Sequence, residues 1–329
     1  VDTPTAEALH DQLEHVAWDG LRFYDLIFPL FLFLVGCVLP FSLEKYRGQQ
    51  SLVYGRIVRR TLLLFGLGLV CNGLFQMNWE NLRVAGVLQR IAICYLLASL
   101  VYLQWRWPGQ AIAVAVILIG YWMVMTWVGA PGGRAGDLSP EGNLSGYLDR
   151  HFLPGKIMKE YYGHGDNEGL LSTIPAVATA LTGALAGQWL LSSHRPWRKA
   201  AGLAVAGLAC LGLGYAWSWV FPIIKILWTS SYVLVAAGWS LLMLAVFYTL
   251  IDVLKWRRWS FFWVVIGMNA ITIYVVPRFV DFNKMSQFFL GGVAKMSGAW
   301  GPVVLIAGAL AAQWLFLYYL YRQKLFLRV

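Results

Sequence analysis

Residues Leu13–Phe33 read LEHVAWDGLRFYDLIFPLFLF, placing His15, Asp19, Arg22 and Asp25 at the mouth of a run almost free of polar side chains. An ionisable side chain inside hydrocarbon costs at least about 2.5–3.5 kcal/mol on insertion scales. The crowding of such groups therefore marks a boundary, and the run behind them marks a membrane span. The composition extends that reading to the whole chain. Of its 329 residues, 59% are hydrophobic and 13% charged, whereas a soluble domain carries about 25% charged residues. A crossing helix needs about 20 apolar residues, and a helix satisfies its own backbone groups in lipid.

Working outward from that first run, the sequence predicts an all-α, polytopic integral membrane protein. Nine spans are expected, near residues 23–42, 56–75, 84–104, 109–129, 172–192, 200–219, 228–251, 259–279 and 302–321. Each is long and continuous, without the period-2 alternation of a strand. The stretch 286–299, SQFFLGGVAKMSGA, is too short and Gly-rich to span and is expected to be re-entrant or interfacial. Residues 1–329 read as one transmembrane domain without internal repeats, and no signal peptide is recognised ahead of it, where residue 1 is Val. Cys37, Cys71, Cys94 and Cys210 all fall inside apolar runs at unrelated spacings and read as packing residues.

The net charge of +10 raises nucleic acid as a partner, but its distribution removes it. With residues 1–22 placed outside, the inner connections collect Arg56, Arg59 and Arg60, then Arg195, Arg198 and Lys199, then Lys255, Arg257 and Arg258. Basic asymmetry across short loops sets membrane orientation. The charge thus reads as topology, with His15, Asp19 and Asp25 extracytoplasmic and the carboxyl terminus cytoplasmic. The one long connection, about 130–171, falls on the same outer side and reads as a lid or binding surface.

Within the spans, Gln89 and Arg90 sit just inside the third helix. Arg90 either pairs with Asp25 or faces an anionic substrate group, such as a phosphate or thioester oxygen. Asn269, mid-membrane in the eighth helix, is either interhelical glue or a cavity residue. Lys225, at the outer entrance of the seventh, either snorkels or faces the cavity. His15 stands out through its neighbours. Asp19 lies four residues on and Asp25 ten, so a carboxylate can hold one ring nitrogen and leave the other free as a general base or nucleophile. No serine elbow, Walker loop or zinc signature occurs, and the HGDNEG stretch (His164, Asp166, Glu168) is weak support for a metal, so none is expected.

The stretch EHVAWDGLRFYDLIFPLFLFLVG resembles the opening signature of the heparan-α-glucosaminide N-acetyltransferase family. GVLQRIAICYLL, NEGLLSTIPAVATALTGALAG, FPIIKILWTSSYVLVAAG and IGMNAITIYVV follow in the family's order, from about residue 13 to 280. The resemblance implies transfer of an acetyl group from cytosolic acetyl-CoA to the amine of an amino sugar or glycan across the membrane. It puts the active-site histidine, ahead of a W-(D/N)-G motif, on His15. It also matches Arg90 to an L-Q-R arginine and Asn269 to a late G-M-N asparagine. It further implies a homodimer and a membrane helix ahead of the histidine, which this chain begins after. The short loops look bacterial, which places the protein in an inner membrane with a cell-envelope acceptor. A sugar transporter is the rival reading, since polar groups in the membrane and a gating loop suit it too.

Overall fold

The computed structural model describes residues 10–46, 50–158 and 163–327, and among these the regular structure is helical, apart from one antiparallel bridge between Arg83 and Gly155. Residues 1–9 of the amino-terminal segment and 159–162 of the long connection lie outside the described residues. The chain divides into two compact units, residues 1–249 and 250–329.

The first unit holds α1 (Ile27–Leu43), α2 (Gln50–Cys71), α3 (Val87–Gln104), α4 (Trp107–Trp127), α5 (Leu144–Phe152), α6 (Thr173–Leu191), α7 (Pro196–Ser218) and α8 (Ser230–Tyr248). Helix α6 lies at the centre, packed on α1, α3, α4 and α8. Its Ala- and Gly-rich sequence explains the position. Ala176, Ala178, Ala180, Leu181 and Ala184 are fully buried, and a Cβ at Gly36 of α1 or Gly183 of α6 would run into a carbonyl of the facing helix. Lipid supplies no hydrophobic drive between helices, so close backbone approach through small residues is what holds such a pair. The opposite pattern marks the periphery, where Ile112 and Val116 of α4 and Val205 and Leu208 of α7 are exposed.

Between α7 and α8, residues 219–229 are not helical, yet Phe221, Ile224, Leu227 and Trp228 are at most 2% exposed. Buried irregular backbone survives only when its polar groups are paired. Here Thr229 Oγ1 accepts from the Ile224 N–H at 3.1 Å, Ser231 Oγ donates to the Pro222 carbonyl at 2.9 Å, and Tyr121 Oη donates to the Leu227 carbonyl. A helix break of this kind brings a loop side chain into the interior. The side chain it presents is Lys225.

The second unit contains α9 (Ser260–Met268), α10 (Ala270–Val275), α11 (Phe282–Met296) and α12 (Gly301–Arg322), with α12 packed on α9 and α11. Asp281 caps α11 by accepting from the N–H groups of Asn283 and Lys284. At 15 residues α11 is about 22 Å long, short of a bilayer core of roughly 30 Å.

The expectation of nine spans is corrected. Among the described residues seven helices are long and apolar enough to cross a membrane, or eight counting α9 and the 270–278 segment as one broken span bent by 74°. The run expected at 56–75 is helical as α2, but Arg56, Arg59 and Arg60 in its first half take it out of the apolar range. The run expected at 259–279 breaks at Asn269. The chain is a multi-pass membrane protein by these helices.

Candidate active site

Residues 15–22 carry no regular structure and are pinned from two sides. The Gly20 N–H donates to the Ile223 carbonyl at 2.9 Å, with φ of +119° that suits glycine, and Trp18 Nε1 donates to the Leu138 carbonyl at 2.9 Å. A 3₁₀ turn over Phe23–Leu26 then leads into α1 and turns Asp25 back toward this stretch. The carboxylate accepts from the N–H groups of Arg22 at 3.1 Å and Val16 at 3.4 Å and is 1% exposed.

Three ionisable groups converge there. His15 Nδ1 lies 2.7 Å from Asp25 Oδ1, Lys225 Nζ lies 2.8 Å from the same Nδ1, and Lys225 Nζ lies 3.1 Å from Asp25 Oδ1. His15 keeps 31% of its side chain exposed and leans its ring against Tyr24, with centroids 4.5 Å apart. Nδ1 offers one hydrogen-bonding position for two partners. With a proton it donates to Asp25 and leaves the Nε2 lone pair, 3.4 Å from Lys225 Nζ, as the base; without one it accepts from Lys225, and the proton sits on Nε2. Burial pushes the Lys225 ammonium below its ordinary range, while Asp25 and Glu168 pull it back up.

The sequence-predicted residues divide plainly. Asp25 and Lys225 meet His15, whereas Asp19 is exposed and stands apart. Arg90 does not pair with Asp25. Its Nη2 donates to Ser172 Oγ at 2.5 Å, and its guanidinium lies 4.9 Å over the Trp228 ring. Trp228 packs edge-on against Tyr232, whose hydroxyl donates to the Asp25 carbonyl at 2.7 Å, so two aromatic residues separate Arg90 from the cluster. Gln89 is 3% exposed, and side chains at Gly68 and Gly86 would collide with it. Asn269 belongs to the second unit, where its amide donates to the Leu325 carbonyl and accepts from Thr272 Oγ1, both at 3.3 Å.

A second cluster went unread in the sequence. Arg83 Nε donates to Asp166 Oδ2 at 3.0 Å, and its Nη2 bonds both Asp166 and Glu168. Asp149 of α5, 1% exposed, accepts from the N–H groups of Leu170 at 2.8 Å and Asp166 at 3.1 Å. A Cβ at Gly169 would collide with that carboxylate, so glycine is required there. Asp149, Asp166 and Glu168 of the long connection are therefore held by paired charge and backbone N–H groups. Asp166 and Glu168, weighed as metal ligands in HGDNEG, turn to Arg83 instead; among the described residues no group of three or more His, Cys, Asp or Glu is placed to hold a metal ion. A local signal for this was slight, because the pair spans 83 residues.

Burial opposes charge on Asp166, but Arg83 and two N–H groups outweigh it and hold its pKa low. On Asp149 burial wins, raising its pKa to about 6 against backbone N–H groups that lower it. A raised carboxyl pKa means the folded chain holds its proton more tightly than the unfolded chain does. Stability from this group is thus present below about pH 4 and lost as pH rises through about 6, on the order of 3 kcal/mol in all. The expected result is an apparent melting temperature that falls between pH 4 and 7 and a clearly flatter profile in Asp149→Asn. A profile of unchanged slope in the variant would assign the effect elsewhere.

Gln89, Arg90, Glu168 and Thr173 line a cavity of about 280 Å³ whose remaining wall is mostly apolar, including Phe65 and Ile174. Arg90 Nε, Arg90 Nη1 and Gln89 Nε2, on two of these lining residues, are buried with no hydrogen-bond partner among the described residues.

Against known proteins, residues 6–215 match the family described as heparan-alpha-glucosaminide N-acetyltransferase, catalytic. The chain belongs to this family. It is 27% identical to heparan-alpha-glucosaminide N-acetyltransferase of Mus musculus over 96% of the chain and 56% of that relative. It is 26% identical to the Homo sapiens protein of the same name over 80% of the chain and 48% of that relative. The chain thus spans about half the length of the curated relatives it matches. The family match covers His15, Asp25, Arg90 and the Arg83 cluster, and ends before Lys225.

Proposed function

We propose that this chain is an acetyltransferase that moves an acetyl group from acetyl-CoA to the amine of an amino sugar, with His15 as general base. The observation that carries the reading is an imidazole held by a buried carboxylate at one end of a membrane helix bundle, in a chain of this family. With Nδ1–H donated to Asp25, the Nε2 lone pair takes a proton from the sugar ammonium. The freed amine then attacks the thioester carbonyl, the C–S bond breaks, and the second amine proton goes to the departing thiolate. Asp25 stabilises the imidazolium that forms. Gln89, Arg90, Lys225 and Asn269 are assigned to substrate or donor binding; the unpaired donors of Gln89 and Arg90 suit an oxygen-rich group.

In this reading residues 1–22 and the acceptor lie on the extracytoplasmic side of a bacterial inner membrane, and donor enters from the basic cytoplasmic face. Detergent-solubilised protein with acetyl-CoA and glucosamine should release free CoA thiol in a sugar-dependent manner. Transport has no meaning in detergent, so sugar uptake into vesicles without acetyl-CoA, and no thiol release, would support the transporter instead.

A further inference from the structure

We infer that the Gln89–Arg90 cavity binds the phosphate headgroup of a membrane lipid, entering from the bilayer. Arg90 is 1% exposed, and its Nε and Nη1 lack acceptors among the described residues, as does Nε2 of Gln89 at 3% exposure. A buried donor left without an acceptor is costly, the more so when it is charged. Three of them in one cavity call for a ligand dense in acceptor oxygens, and a guanidinium adds the demand for negative charge. The nearby acids leave those donors without an acceptor. Asp149, which feels the Arg90 charge, spends its oxygens on the N–H groups of Asp166 and Leu170, and Glu168 on the cavity wall is paired with Arg83.

The remainder of the cavity identifies the source of the phosphate. Leu97 and Ile174 lie on helices apolar enough to cross a membrane, and with Leu170 they line the cavity while being 41–48% exposed. An opening edged by exposed apolar residues at membrane level admits hydrocarbon chains and offers a soluble phosphate ester no matching wall. If the proposed transfer holds, such a site suits an acceptor sugar carried on a lipid phosphate, and that step alone rests on the proposed function. The binding itself is tested without catalysis.

Native mass spectrometry of the detergent-solubilised full chain, titrated with phosphatidic acid, diacylglycerol of the same chains and glycerol 3-phosphate, reads it directly. Phosphatidic acid should bind at least about tenfold more tightly than either of the others. Arg90→Gln should erase the preference over diacylglycerol, and Ile174→Trp, which leaves Arg90 in place, should weaken phosphatidic acid at least about fivefold. Equal binding of diacylglycerol, glycerol 3-phosphate binding as tightly as the lipid, or full affinity in Ile174→Trp would each overturn the inference. If Arg90→Gln does not fold, the lipid comparison and Ile174→Trp decide alone. Loss of acetyl transfer with lipid binding intact would sink the function and leave this site standing.

Discussion

His15→Ala should lower sugar-dependent CoA release by about 10²–10⁴-fold while leaving the purified chain folded. General acid–base catalysis contributes about 10²–10⁴-fold, and the imidazole is the group of its cluster assigned to accept the proton. The fold should tolerate the loss because His15 lies in an irregular stretch and keeps 31% of its side chain exposed. Removing it does not strand its partners, since Lys225 and Asp25 stay paired at 3.1 Å. The test is thiol release alongside a size-exclusion profile. The loss should appear mainly in kcat, because a proton acceptor acts in the transition state. Imidazole added to the buffer should recover a measurable fraction. Activity within about tenfold of the unaltered chain would remove His15 from the chemistry.

Why Asp25 rather than Asp19 holds the ring shows where sequence reading succeeds and where it stops. A spacing of four puts two side chains on one face only in a helix. Residues 15–22 are irregular, with Gly20 at φ +119°, so Asp19 turns away, while the 3₁₀ turn swings Asp25 back. The imidazole and its carboxylate were still legible because both fall within one short boundary segment. Lys225 was legible as an oddity but not as a partner, for it meets His15 across 210 residues from the irregular connection between two spans, whose path hydropathy does not specify. The same blindness inflated the span count. Apolar runs can be counted, but the basic residues in α2 and the 74° break at Asn269 decide whether a run crosses in one piece. Arg83 was passed over entirely. Its acids lie in a connection whose buried charges resemble solvated ones until the chain is folded.

Asp25→Asn should cost about 10²–10⁴-fold in kcat, and adding Lys225→Met to it should restore part of the loss. The argument turns on the single position at Nδ1. In the unaltered chain the carboxylate attracts both the Nδ1 proton and the Lys225 ammonium, at 2.7 Å and 3.1 Å. Neutralising it weakens both attractions, but the ammonium remains 2.8 Å from Nδ1, nearer than its 3.4 Å to Nε2, and can only donate. Nδ1 then becomes the acceptor, the ring proton moves to Nε2, and the base is lost although every atom of the ring is present. An aspartate-to-asparagine change beside the histidine of a serine protease acts in this way, through the wrong tautomer, at a cost of about 10⁴. With Lys225→Met no ammonium competes, the asparagine Oδ1 accepts from Nδ1–H, and Nε2 recovers its lone pair. A double variant faster than Asp25→Asn by at least about tenfold is therefore expected. If Lys225 only propped the fold or bound substrate, its removal would compound the damage, and a double variant slower than the single one would reject the tautomer account.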